Sequence, residues 1–121
     1  MGRFIRGIFC VGAVFTASAA WSANCGFEFC WGAVGIGPGG EWGWSSGYAV
    51  ESGAIAKVQN ACPECRTIET FYNTCGAMAL GSDGAYGFGR ADTRGGAESN
   101  AIFFCADFGA ECQPVVWSCS Y

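Results

Sequence analysis

The chain says nearly the same thing twice. Gly32-Ala33-Val34-Gly35-Ile36-Gly37-Pro38-Gly39-Gly40-Glu41-Trp42-Gly43-Trp44 returns as Gly76-Ala77-Met78-Ala79-Leu80-Gly81-Ser82-Asp83-Gly84-Ala85-Tyr86-Gly87-Phe88. A duplication of this length restricts the architecture to one that can hold the same unit twice. It says little about chemistry, because no residue type that usually performs catalysis recurs with it.

Each copy reads as a β-hairpin: a short apolar run, a glycine-rich turn and an aromatic run. A two-residue loop at Gly39-Gly40 or Asp83-Gly84 would set Trp42 opposite Gly37. A three-residue loop, Pro38-Gly39-Gly40 and Ser82-Asp83-Gly84, pairs Ile36 with Trp42 and Leu80 with Tyr86 instead. The second is preferred, since Pro38 suits the first position of a type I turn and Gly40 and Gly84 suit the left-handed position that closes it. In that register Val34, Ile36, Trp42 and Trp44 share one face, as do Met78, Leu80, Tyr86 and Phe88. The opposite face holds only small residues, among them Gly35, Gly37 and Gly43 in the first copy and Ala79, Gly81, Ala85 and Gly87 in the second. The bulky face is expected to be core, rings included, and the small face smooth.

Beyond each hairpin the apolar spacing changes to four. Ala54, Val58 and Cys62, and likewise Ala97, Ala101 and Cys105, mark one face of two helices. Thr93 can cap the second helix, while Gly53, Gly95 and Gly96 weaken first turns. Small residues on these stripes are expected to let each helix sit close over the bulky hairpin face. Strands follow at 67–72 and 115–118. The fold class is therefore α+β: two tandem β-β-α-β repeats, 31–74 and 75–121, forming one small disulfide-stapled antiparallel sheet domain with two helices packed on it. Residues 21–30 are an N-terminal extension.

Residues 1–20 read as a secretory signal peptide, with Arg3 and Arg6 in a basic n-region, an apolar run from Gly7 to Ala17 and a small-residue exit at Ala17-Ser18-Ala19 or Ser18-Ala19-Ala20. The apolar run is about half the ~20 residues a membrane-spanning helix needs, so no span is expected in the mature form. Asn24 before Cys25 argues against a lipid anchor, which needs a small residue there. The expected location is secreted or periplasmic. Cleavage removes Cys10, leaving Cys25, Cys30, Cys62, Cys65, Cys75, Cys105, Cys112 and Cys119, an even set that reads as disulfides in a small exported domain. It also leaves Lys57, Arg66, Arg90 and Arg94 against 10 carboxylates. So acidic a domain lacks the basic patch that nucleic acid or an anionic membrane requires.

The chain resembles domain-of-unknown-function family 4189. The residues that carry the resemblance are the Trp/Cys-Gly-Ala strands, Gly81-Ser82-Asp83-Gly84-Ala85-Tyr86-Gly87-Phe88-Gly89, the alanine-rich helix ending in cysteine, and Val115-Val116-Trp117-Ser118-Cys119. It covers residues 31–119. The resemblance implies a small exported bacterial protein with no established reaction. This chain departs from the pattern in having only Pro63-Glu64 between Cys62 and Cys65, and in adding the Cys25/Cys30 pair.

Eight cysteines allow 105 pairings. Repeat symmetry suggests Cys62 with Cys65, Cys105 with Cys112, Cys75 with Cys119, and Cys25 with Cys30. A redox role for Cys62-Pro63-Glu64-Cys65 is disfavoured, because Cys62 falls at a predicted helix C-terminus, where the dipole raises rather than lowers a thiol pKa. A zinc site lacks further ligands at matching spacing, since the chain has 0 histidines and no second C-x-x-C. No metal and no cofactor is expected.

The lack of histidine also removes Ser-His and Cys-His pairs, and Lys57 alone leaves little for a Ser-Lys pair. Glu41, Glu69, Asp83 and Asp92 are candidate carboxylates, but nothing positions two together, and Asp83 is more simply a turn residue. The glycine runs sit inside hairpins, not between a strand and a helix N-terminus, so they are not nucleotide loops. The expected function is non-catalytic: an exported protein-interaction domain, effector-like or of the envelope, monomeric, with another protein as partner. The alternative is a cell-wall or carbohydrate-binding module using Trp42, Trp44, Tyr86 and Phe88 as stacking platforms, or a small inhibitor of a lytic enzyme.

Overall fold

The computed structural model describes residues 25–121; the expected signal peptide and residues 21–24 of the extension lie outside them. The elements run β1 (Trp31–Ile36), β2 (Trp42–Tyr48), α1 (Glu51–Ala61), β3 (Thr67–Tyr72), β4 (Thr74–Leu80), β5 (Tyr86–Ala91), α2 (Arg94–Ala106) and β6 (Gln113–Ser120). The class is α+β. The strands form two antiparallel three-stranded sheets, ordered β2-β1-β3 and β5-β4-β6, so the first strand of each hairpin lies in the middle.

Both hairpins take the three-residue loop. Ile36 pairs with Trp42 and Leu80 with Tyr86. Gly37 N donates to Glu41 O (2.8 Å) and Gly40 N to Gly37 O (3.1 Å); Gly81, Ala85 and Gly84 repeat the pattern at 2.6 and 3.1 Å. Gly40 and Gly84 close these turns at φ 90° and 91°, a conformation that side chains rarely adopt.

The face assignment needs correction. The helices do not cover the bulky hairpin faces; they lie on the small-residue faces, and the bulky faces of the two sheets pack on each other. Four layers result, helix, sheet, sheet, helix. Ala33, Ala54, Val58, Cys62 and Cys65 fill the space between α1 and the first sheet. Cys75, Ala77, Ala79, Ala97, Ala101 and Cys105 do the same beneath α2. Val34, Ile36, Phe71, Met78 and Val116 form the central core between the sheets. The physical reason is economy of volume. Gly87 lies so close under α2 that a β-carbon there would fall 2.3 Å from Ala101 O and Cys105 N. Helix backbone at that distance leaves no room for bulk, so the large side chains meet in one shared layer, each worth roughly 1.5–3 kcal/mol on full burial.

The expectation that all four aromatic rings are core also fails. Trp42, Trp44 and Tyr86 are 54, 47 and 43 % exposed, and only Phe88 turns inward, stacked on Phe71 at 6.5 Å. β2 and β5 are edge strands, and side chains on an edge overhang the core instead of filling it.

The described cysteines form four disulfides, Cys25–Cys30, Cys62–Cys65, Cys75–Cys119 and Cys105–Cys112. Cys75–Cys119 bridges directly paired positions of β4 and β6, and Cys62 sits at the C-cap of α1. Thr93 caps α2, its Oγ1 accepting from Gly96 N at 3.1 Å. Residues 25–30 are tied to the β3–β4 link by Asn73, whose Oδ1 accepts from Cys30 N (2.9 Å) and whose Nδ2 donates to Glu28 O (3.1 Å).

Candidate functional site

The sandwich has two open sides, each bordered by one edge strand from each sheet. On one side β3 and β5 carry a charged residue each, Glu69 and Arg90. On the other, β2 (WGWSSGY) and β6 (QPVVWSCS) carry none. Inter-sheet hydrogen bonds hold this uncharged side together: Ser118 Oγ donates to Ser45 O at 2.9 Å, and Gly47 N donates to Ser120 Oγ at 2.9 Å. Ser45 is buried and in turn donates its hydroxyl to Ala54 O at 2.8 Å, tying β2 to α1.

A cleft of about 450 Å³ opens here, lined by Trp42, Trp44 and Ser46 of β2 and by Val115 through Cys119 of β6. The strand alternation explains its composition. Trp42, Trp44 and Ser46 are alternate residues and project from one face of β2. The β6 contribution is five residues in unbroken succession, which is how a strand lines a cleft when it presents its edge. Trp117 is 39 % exposed. Two cations stand at the indoles: Lys57 Nζ lies 5.9 Å from the Trp44 ring centre and Arg94 Cζ 4.3 Å from that of Trp117. No carboxylate lines the cleft. Glu41, adjacent in sequence to Trp42, is turned into its own hairpin loop, where Oε1 accepts from Gly39 N at 2.9 Å.

The aromatic candidates are thus divided. Trp42 and Trp44 share the cleft, whereas Tyr86 and Phe88 line a second depression at the other side of the sandwich with Glu69, Phe104 and Phe108. Trp117 lies in the β6 run that lines the cleft but not among the sequence candidates; its alternation with Val116 and Ser118 in an apolar strand is the signal that could have found it. The carboxylate candidates serve separate places. Asp83 Oδ1 accepts from Ala85 N within its turn (3.2 Å), Glu69 lies on β3, and Asp92 follows β5, its carbonyl accepting from the Tyr121 hydroxyl at 3.2 Å. Among the described residues no three of His, Cys, Asp and Glu cluster closely enough to hold a metal ion, and no helix is long and apolar enough to cross a membrane.

No curated protein matches the chain. Among solved structures, it is similar to the NMR structure of Rv1813c from Mycobacterium tuberculosis, with 25% sequence identity, 74% of each chain covered and a TM-score of 0.58. The family described as a domain of unknown function, DUF4189, matches over residues 31–119, which takes in the described strands and helices from β1 to Cys119 of β6, and with them the cleft. The chain therefore belongs to the DUF4189 family.

Proposed function

We propose that the protein is an exported, disulfide-stabilised, non-catalytic domain that binds another protein through the cleft between β2 and β6. The observation that supports it is the exposure of indole: Trp42 and Trp44 stand about half in water over one concavity whose far wall is the edge of β6. Clustered exposed aromatic surface of this kind costs solubility and is typical of recognition sites, where tryptophan is enriched among the residues that dominate binding. Export accords with the four disulfides, which persist in oxidising compartments and are rare in reducing ones. The non-catalytic reading rests on the chain's lack of histidine and on the engagement of Glu41 and Asp83 by their own turns.

The same half-exposed indoles favour a second reading, a carbohydrate-binding module that stacks sugar rings on Trp42 and Trp44. One experiment separates the two. The mature domain and a Trp42→Ala/Trp44→Ala variant are immobilised and presented with the extracytoplasmic fraction of the producing cell and with cell-wall glycan. A stoichiometric protein retained by the native domain and lost from the variant supports the first reading, an inhibitor of a lytic enzyme being one form of it. Retention of glycan with the same loss supports the second. Retention of neither removes both.

A further inference from the structure

We infer that the cleft takes an extended segment of the partner as an added strand along the free edge of β6, beneath the indoles of Trp42 and Trp44. The inference rests on the protein-binding reading above and specifies its geometry. It starts from the ladder. In an antiparallel pair, residues alternate between exchanging both backbone hydrogen bonds with the partner and exchanging none. The Gly81–Ala85 bond at the hairpin end fixes that phase. Counting back along β4, Ala79, Ala77 and Cys75 bond to β5, so Met78 and Gly76 bond to Val116 and Ser118 of β6. The backbone N–H and C=O of Trp117 and Cys119 consequently point away from β4, and among the described residues β6 has no other ladder neighbour. These are the groups that an incoming strand would bond, and they lie within the run that lines the cleft.

Three further observations favour a strand over another occupant. Proteins usually guard a free edge with a charge, a proline or a bulge; the other two edges carry Glu69 and Arg90, whereas the guards of β6, Pro114 and the register shift beside it, lie at its start and leave Val115 to Ser120 without one, and the neighbouring β2 carries no charge. The cleft has the dimensions of a strand, since five residues of β6 extend for roughly 17 Å at ~3.4 Å each. Its side chains supply what strand addition needs for selectivity, apolar surface from Trp42 and Trp44 for alternate residues of the guest. Charge complementarity completes the description of the guest. Lys57 stands beside the Trp44 ring, Arg94 beside Trp117 is already paired with Glu98 at 3.2 Å, and carboxylates are absent from the lining, in a chain with formal net charge −4. The segment is therefore apolar or aromatic at alternate positions and carries a carboxylate. A second copy of this acidic domain fits less well, because its overall charge repels.

The test uses the mature, oxidised domain and peptides selected against it from a displayed library of random short sequences. The expected peptides alternate apolar residues and carry Asp or Glu. Bound peptide slows hydrogen exchange of the Trp117 and Cys119 amides, and N-methylation of one inward-facing peptide amide weakens binding about tenfold, the worth of one hydrogen bond. Trp117→Pro, which removes an outward N–H and no ladder bond, weakens it further. Should Trp117→Pro fail to fold, the exchange and N-methylation measurements on the native domain still decide. A protein partner that binds without protecting those amides, or peptides indifferent to N-methylation, overturns strand addition and leaves the protein-binding reading standing. Binding of chitin oligosaccharide that shields the indoles and not the amides overturns both.

Discussion

Gly76 stands against the ring of Phe71 so closely that a β-carbon on it would lie 2.4 Å from Phe71 Cδ2. Gly32, paired directly with Phe71 across β1 and β3, stands on the other side of the same ring, where a β-carbon would fall 2.7 Å from Cε1. The two glycines lie near the starts of β1 and β4, the central strands of the two sheets, and Phe71 is 1 % exposed between them. The sheets thus meet over one ring that fills the space both glycines leave empty.

Gly76→Ala is accordingly expected to destabilise the domain by about 1–3 kcal/mol, the usual cost of inserting a methyl group into a packed core that cannot yield. Phe71→Ala is expected to cost about 3–5 kcal/mol by leaving a cavity. Phe71→Leu combined with Gly76→Ala should recover part of the loss, because the smaller side chain vacates the clash. Denaturant unfolding with disulfides intact, analysed as a double-mutant cycle, measures that coupling. Strictly additive losses would show that the ring and the glycine do not share the space.

A second pair of glycines separates close approach from mere presence in the sequence. Gly89 lies under α2 with a hypothetical β-carbon 2.3 Å from Ala101 N and 2.4 Å from Ala97 O, whereas Gly95 within α2 has nothing within 4 Å. Gly89→Ala must lift the helix from the sheet, and a loss of about 3 kcal/mol is expected. Gly95→Ala meets no atom and gains helix propensity, so a stabilisation of up to ~1 kcal/mol is expected. Thermal melts of the two variants should move in opposite directions.

The hairpin register was legible because turn chemistry is local: Pro38, Gly40 and Gly84 can satisfy one loop type, and that loop fixes which side chains are neighbours. The helix stripes were legible for the same kind of reason, spacing along one element. Which face each helix covers was not. Val34 and Ile36 are apolar whether they meet a helix or another sheet, and periodicity reports that a face is buried without naming what buries it. The deciding evidence lay in the small residues, since Ala77, Ala79, Gly87 and Gly89 opposite Ala97 and Ala101 form two complementary smooth surfaces. The site was half legible. Trp42 and Trp44 stood out, but their exposure depends on β2 being an edge strand, which follows from strand order, and strand order is a property of the assembled sheet.

The Cys75–Cys119 bridge spans a sequence separation of 44 and the Cys105–Cys112 bridge one of 7. In the loop-entropy description their removal costs about 4 and about 2.5 kcal/mol respectively. Cys75 and Cys105 both lie fully buried in the layer between α2 and the second sheet, so packing losses are similar and the difference in loop length should dominate. The Cys75→Ala/Cys119→Ala variant is expected to unfold at the lower denaturant concentration of the two. Equal midpoints would indicate that strain or residual structure, not chain entropy, sets the contribution of these bridges.

Fluorescence quenching tests the cleft itself without knowledge of its ligand. Trp42, Trp44 and Trp117 are exposed to an extent that lets a small solute reach them in the folded state. The sign of the ionic preference is the sharper expectation. A chain of formal net charge −4 should, by its bulk field, attract caesium and repel iodide. Yet Lys57 stands within a Debye length of the Trp44 ring, and the cleft lining holds no carboxylate, so the local field at Trp44 favours the anion, while Arg94 beside Trp117 is compensated by Glu98. Iodide is therefore expected to quench more efficiently than caesium at low ionic strength, with the preference fading as inert salt is added. Lys57→Ala should reduce the iodide preference, and Trp42→Phe/Trp44→Phe should remove much of the quenchable emission. A caesium preference in the native domain would mean that Lys57 does not hold its place over the Trp44 indole, and with it would go the expectation that a ligand of this cleft carries a carboxylate.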